Sequence, residues 1–198
     1  MKKQINTIPF DPASIPTFKD IITLLTQRST PAVRKRIFNR YFAKQAHKKF
    51  RYKTATGKHA YIYVMEGAVY TETEFHIAGK LARAGYHVLF PNKGDLGKGR
   101  KNDVYLYDAK TYIQQQVELK SLFGHTADAV KSQIISGSGQ AGIIAYDIQS
   151  KIKPNWLIQG LRNGWSSDLK TVMISWKGQW YQLDKKTIFS DNIRNVLR

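Results

Sequence analysis

Asp103 heads an apolar run, Val104-Tyr105-Leu106-Tyr107, and the tripeptide Glu118-Leu119-Lys120 lies on the next run of strand composition. Fourteen residues lie between Asp103 and Glu118, a length that lets a β-hairpin bring its two arms back together. Period-2 geometry sends Glu118 and Lys120 to one side of their strand and Val117 and Leu119 to the other. Two carboxylates and an ammonium converging on a strand pair can hold a divalent cation and orient a water. The plainer accounts are an Asx-turn for Asp103 and a simple ion pair for Glu118 and Lys120. Buried ion pairs contribute weakly to stability, however, so a central one invites a functional account.

Glu74 adds a third carboxylate. Residues 74, 77, 78 and 81 share one helical face, and Ile77, Ala78 and Leu81 are apolar, so the stripe that packs on a sheet starts with an acid. Thr71, three residues earlier, supplies the competing explanation of Glu74 as the partner in a capping box.

The elements that must position these residues follow from pattern and punctuation. Residues 11–29 read as a helix, and Thr30-Pro31 as the N-cap and first position of a second helix over about 31–50. His59–Val64 has strand composition, and Gly67 marks a turn into a short strand, Ala68–Tyr70. A helix over 72–84 ends at Gly85, and Tyr86–Phe90 is a strand. Residues 92–101 form a glycine-rich basic loop, too irregular for a Walker A pattern, which excludes an NTPase reading. Strands follow over 103–107 and 114–120, a helix over 126–136, a strand over 141–146 and a short helix over 155–163. The chain closes with a hairpin around Lys177-Gly178, with Trp176 and Trp180 as its core-facing cross-strand pair. This order specifies an α/β fold, a mixed central sheet with helices on each side.

The balance of charge narrows the partners. The chain has 198 residues, 32 Lys and Arg, 14 Asp and Glu, and a net charge of +18, which draws polyanions by counterion release. Residues 1–60 hold 14 basic and 2 acidic side chains, two-thirds of that net charge. Basic residues alternate with aromatics over Lys48-Lys49-Phe50-Arg51-Tyr52, and Lys98, Arg100 and Lys101 add cations in the glycine-rich loop, so Lys48, Lys49, Arg51, Lys98, Arg100 and Lys101 are the candidate nucleic-acid contacts. Absence of cysteine excludes disulfides and Cys-ligated zinc. No conventional signal peptide and no membrane span are evident, which points to a soluble protein. The five histidines are scattered, without the paired arrangement a metal-independent RNase would use; His76, near Glu74, and His125, after the Glu118 strand, are the two nearest the candidate site.

These residues together resemble the PD-(D/E)XK nuclease superfamily: Glu74 in the first helix, Asn102-Asp103 where Pro-Asp is usual, and Glu118-Leu119-Lys120 as the E-x-K element. The run from Glu74 to Tyr86, Val117-Glu118-Leu119-Lys120-Ser121, and Gln140 to Tyr146 look more closely like the C-terminal tRNase toxin domains of contact-dependent growth inhibition (CdiA-type) proteins. The likeness covers about residues 60–184. It implies a restriction-endonuclease-like core over 57–198, preceded by a basic helical segment over 1–56. It also implies Mg²⁺ or Mn²⁺, with Zn²⁺ left open, held by Asp103, Glu118 and Glu74. Lys120 would serve the attacking water, and Gln140 would support a ligand or a backbone group. The implied function is phosphodiester hydrolysis by an RNase toxin acting on tRNA in a bacterial cytoplasm, delivered as an effector and held in check by an acidic immunity protein. A metal-dependent DNA endonuclease and a non-catalytic nucleic-acid-binding module are the alternatives.

Overall fold

The computed structural model describes Ile21, Leu25, residues 30–92, Gly94 and residues 103–197. Of the helix expected over 11–29, Ile21 and Leu25 are described; both lie in the buried core and both are helical. The Thr30 hydroxyl accepts from Val33 N and Pro31 fills the first position of α1 (Pro31–Phe38), where a missing N–H costs nothing.

A single helix over 31–50 is not what forms. α1 widens into a π-helical turn over Asn39–Ala43, and Lys48–Lys53 is a strand, β1. Two-residue periodicity wins there: the pleat turns Phe50 and Tyr52 toward one layer and Lys49 and Arg51 toward the other. β1 pairs with β2 (His59–Val64) over six residues, from Lys48 opposite Val64 to Lys53 opposite His59. The strand expected at Ala68–Tyr70 reduces to one bridge, Ala68 to Asn92.

The remaining elements keep the expected order. They are α2 (Glu72–Arg83), β3 (Tyr86–Phe90), β4 (Val104–Asp108), β5 (Gln114–Leu122), α3 (Ala127–Ser138), β6 (Ile143–Ile148), α4 (Pro154–Gly164), β7 (Thr171–Trp176) and β8 (Gln179–Asp184). Two short helices, α5 (Lys185–Phe189) and α6 (Ile193–Val196), follow the hairpin, so the hairpin is not the last element. All eight strands form one mixed sheet in sequence order. β2–β3, β5–β6 and β6–β7 are parallel and the other pairs antiparallel. This is the mixed α/β architecture read from the sequence.

Strand parity sorts the core into layers. Ile62, Val88, Leu106, Val117, Leu119, Ala145 and Met173 face α2, meeting its Ile77, Ala78 and Leu81. Alternate residues face the other way and divide into two groups. Tyr63, Leu89, Tyr105 and Tyr107 pack under Phe38 and Phe42 of the α1 region. Leu122, Ile144, Tyr146, Val172 and Ile174 pack under α3 and α4. A Cβ at Gly160 or Gly164 of α4 would come within 2.4 or 2.8 Å of Val130 or Ile134, so these glycines let α3 and α4 touch closely. On this second face β5 is the seam between the two helical groups.

The hairpin also corrects an expectation. With Lys177 and Gly178 both at positive φ (48° and 79°), its two-residue turn pairs Trp176 with Gln179 and Ser175 with Trp180. Adjacent parity therefore puts the two tryptophans on opposite faces, Trp176 under α4 and Trp180 toward the α2 side.

His87 of β3 stacks with Phe38 at 5.6 Å and its Nδ1 accepts from Tyr61 N at 3.2 Å. Burial, seconded by the charge of Lys49, pushes its imidazole down to about 4. Between that value and the ordinary value near 6.5 the unfolded chain binds the extra proton, so this share of stability is complete above the window and is lost as pH falls through it. Thermal melts of the parent should therefore show a steeper loss between about pH 7 and about pH 4.5 than melts of His87→Asn. Parallel curves for the two proteins would contradict a buried neutral His87.

Candidate active site

β4 and β5 run antiparallel with Val104 opposite Val117, a register that sets Asp103 opposite Glu118. Asp103 Oδ2 accepts from Leu119 N at 2.9 Å, so a side chain extends the ladder one step ahead of the first residue of β4. Parity turns Glu118 away from the α2 layer and into the seam between the two helical groups, where it is 2% exposed. Lys120, two residues on, reaches back so that its Nζ lies 2.6 Å from Glu118 Oε1. Opposed parity of Glu118 and Lys120 to Val117 and Leu119 is as the sequence indicated.

Gln140, in the turn between α3 and β6, lies against the same pair. Its carboxamide has two orientations. Turned with nitrogen toward Glu118, it donates to both carboxylate oxygens; turned the other way, it offers its oxygen to Lys120 Nζ at 3.5 Å but sets that oxygen against the carboxylate. The first is favoured, because oxygen facing oxygen is repulsive and a 3.5 Å contact is at the limit of a hydrogen bond.

Glu74 enters from the other layer, at the strand ends. Thr71 and Glu74 form the full capping box: Glu74 N donates to the Thr71 hydroxyl at 3.1 Å, and Thr71 N donates to Glu74 Oε2 at 2.7 Å. The carboxylate thus serves the helix start, while its charge still reaches Asp103. Burial pushes Asp103 up to about 7, and the charges of Glu118 and Glu74 push the same way; the Leu119 N–H and Lys120 oppose them.

The cluster is short of positive charge: two facing carboxylates, a third nearby, and one ammonium. Among the described residues no three His, Asp or Glu side chains gather as a ready-made metal cage. A magnesium ion needs less. It takes one or two carboxylates from a protein and fills the rest of its shell with water and substrate phosphate oxygens. The all-oxygen donors Asp103 and Glu118 fit Mg²⁺ or Mn²⁺ better than zinc, which favours nitrogen and sulfur.

The remaining sequence candidates lie elsewhere. Lys49 Nζ sits over the Tyr61 ring at 4.2 Å, and Arg51 Nη2 is 2.8 Å from His59 Nε2, both on the α1 side of β1. Lys48 shares the opposite side with Phe50. Lys98, Arg100 and Lys101 lie outside the described residues. His125 and His76 are exposed.

Two features were missed in the sequence. Asp147 of β6 is fully buried and ion-paired with Lys80 of α2 at 2.7 Å, and Gln149 also donates to it. An acid inside the apolar run Ile143–Ile148 was its signal. The second is a groove between β1 and α2, signalled by the alternation of Phe50 and Tyr52 with cations.

No protein-family model and no curated protein sequence matches the chain. A solved structure described as a CdiA-CT/CdiI toxin and immunity complex from Burkholderia pseudomallei is similar to it with a TM-score of 0.44 and 18% identity, over 56% of this chain and 81% of that one. A likeness of that size carries no argument about activity. Among the described residues, no helix is long and apolar enough to cross a membrane.

The charge deficit has a measurable consequence. Asp103→Asn keeps an oxygen for Leu119 N and removes one of two facing negative charges. In chelator at about pH 8 it should raise the thermal midpoint by about 2–4 °C, the pattern of a site held at the expense of stability. A lower midpoint would mean that Asp103 is a stabilising structural acid.

Proposed function

We propose that this protein is a metal-dependent nuclease that hydrolyses phosphodiester bonds, and that it acts as an RNase toxin on tRNA. The observation that carries the reading is the Asp103–Glu118 pair, opposite one another where β4 begins beside the middle of β5, with Lys120 at 2.6 Å from Glu118. Such a pair is costly to bury, and beyond the one hydrogen bond from Leu119 N it brings the sheet nothing that an apolar pair would not. The E-x-K pattern and the helix–strand order of the PD-(D/E)XK resemblance support the same conclusion. The toxin and tRNA assignments, with delivery into a bacterial cytoplasm and an acidic immunity protein as partner, rest on the motif likeness and the basic surface.

Asp103 and Glu118 would supply the carboxylates that hold Mg²⁺ or Mn²⁺. When bound, the ion supplies Lewis-acid polarisation of the phosphate and a lowered pKa for its water. Lys120, at 2.6 Å from Glu118, orients the attacking water and offsets charge growing on the phosphate oxygens. Gln140 fixes the Glu118 carboxylate in one rotamer. Glu74 stays on its cap and adds negative potential that draws the cation. With water as nucleophile, the phosphate stays on the 5′ side and the leaving oxygen becomes a 3′-hydroxyl.

Incubating parent, Asp103→Ala, Glu118→Ala and Lys120→Ala with total tRNA and with duplex DNA, with Mg²⁺ or with EDTA, tests this directly. The parent should cut tRNA only with the metal, and each variant should lose about 10²-fold or more in rate. Variants that cut like the parent would remove the site assignment. Cutting confined to duplex DNA would select the endonuclease reading instead. Binding without any cutting would leave a nucleic-acid-binding module.

A further inference from the structure

The face of the sheet away from Glu118 carries a groove of about 410 Å³ between edge strand β1 and α2. Rings make up most of its wall. Phe50, at 36% exposure, meets Phe75 edge-on at 4.9 Å, and Tyr70 stacks on Phe75 at 5.5 Å with 29° between the planes. Tyr52 forms the floor: a Cβ on Gly79 would stand 3.3 to 3.5 Å from the Tyr52 ring and hydroxyl, so the bare helix surface at Gly79 is what the ring lies against. A glycine is unfavourable inside a helix, and this close approach accounts for it here. At the far end the Arg83 guanidinium lies 5.1 Å over the Tyr52 ring.

Arg83 also lines a second, larger cleft of about 780 Å³, with Lys53, Lys80, Tyr86 and Trp180. Lys80 is neutralised there by Asp147. Arg83 lines both cavities, and Lys53, which follows Tyr52 at the end of β1, lines the second, so the two supply positive charge just beyond the aromatic stretch. At the other end, Phe75 directly follows Glu74, so the aromatic stretch begins at the helix turn whose charge reaches Asp103.

We propose that this groove binds unpaired nucleotides, with bases stacked on the Phe50–Tyr70–Phe75 rings and the backbone phosphates directed to Arg83 and Lys53. The proposal rests on the nuclease reading for its substrate class and narrows that class to single-stranded stretches. A duplex hides its base faces and offers chiefly phosphates, for which a flat basic surface serves as well as a groove of rings. Exposed base faces gain from each ring, whatever the sequence. Glu72, also in the lining, repels phosphate and so favours bases over backbone along the aromatic stretch.

Fluorescence anisotropy in EDTA measures binding with no cleavage, so the result is independent of whether the site at Asp103 and Glu118 is catalytic. The probes are a labelled uridine oligomer of about 12 nucleotides and an RNA duplex of the same length. The parent should bind the single strand more tightly than the duplex. Phe50→Ala and Arg83→Ala should each weaken single-strand binding by about ten-fold while changing duplex binding less than about two-fold. Phe50→Trp, which keeps a stacking face, should bind like the parent. Equal losses on both probes, no loss on the single strand, or a Trp variant as weak as the Ala variant would overturn the proposal. If the groove variants behave as expected in EDTA and no cutting appears with Mg²⁺, the groove stands and the nuclease reading falls.

Discussion

Two facing carboxylates are held where β4 begins beside β5, with a single ammonium against Glu118, and much of the surrounding architecture answers to that arrangement. Glu118 can be buried because Lys120 reaches it within its own strand and Gln140 donates to it from the turn before β6. Asp103 can be kept opposite because Leu119 N holds its carboxylate in line with the ladder. A one-residue slip between β4 and β5 would turn Glu118 and Lys120 into the apolar α2 layer, against Ile77 and Ala145, and would take Val117 and Leu119 out of it. The register of this pair is therefore fixed by electrostatics as well as by packing.

The helices respect the same constraint. A sheet of eight strands is wide enough that one face needs two separate helical covers, α1 with its π-turn over β2–β4 and α3–α4 over β5–β8. Between two such covers a polar residue can reach into the sheet without cutting a continuous core. β5 lies at that seam. Its later half returns to the apolar pattern with Leu122, so one strand carries both the polar site and part of the core.

Legibility in the sequence followed how local each signal was. Thr71 with Glu74, Gly85, the apolar runs and the Lys177-Gly178 turn act within a few residues, and the elements that they delimit, from α2 to β8, came out close to the expected bounds. The pairing of Asp103 with Glu118 was readable because a hairpin is itself local. Lys48–Lys53 was not: its cations and rings suit a basic helix as well as a strand, and docking on β2 made the choice. The two tryptophans were misplaced because the number of residues in the turn, rather than their spacing, decides which face each one takes. Asp147 with Lys80 was beyond reach, since 67 residues separate partners that only the sheet brings together.

Glu74 shows how one residue can answer to both readings. Its Oε2 is engaged with Thr71 N, which accounts for its place at the helix start without any reaction. Yet that same cap fixes the first turn of α2, and the first turn carries Phe75 into the groove and the acid toward Asp103. A substrate strand stacked on Phe75 would thus be held in register with the carboxylate pair by a single helical turn, with no moving part between the two. Rigid placement of this kind is what converts binding on one face of the sheet into positioning on the other. The capping box, taken alone a device for stability, becomes in the proposed enzyme the joint between affinity and chemistry.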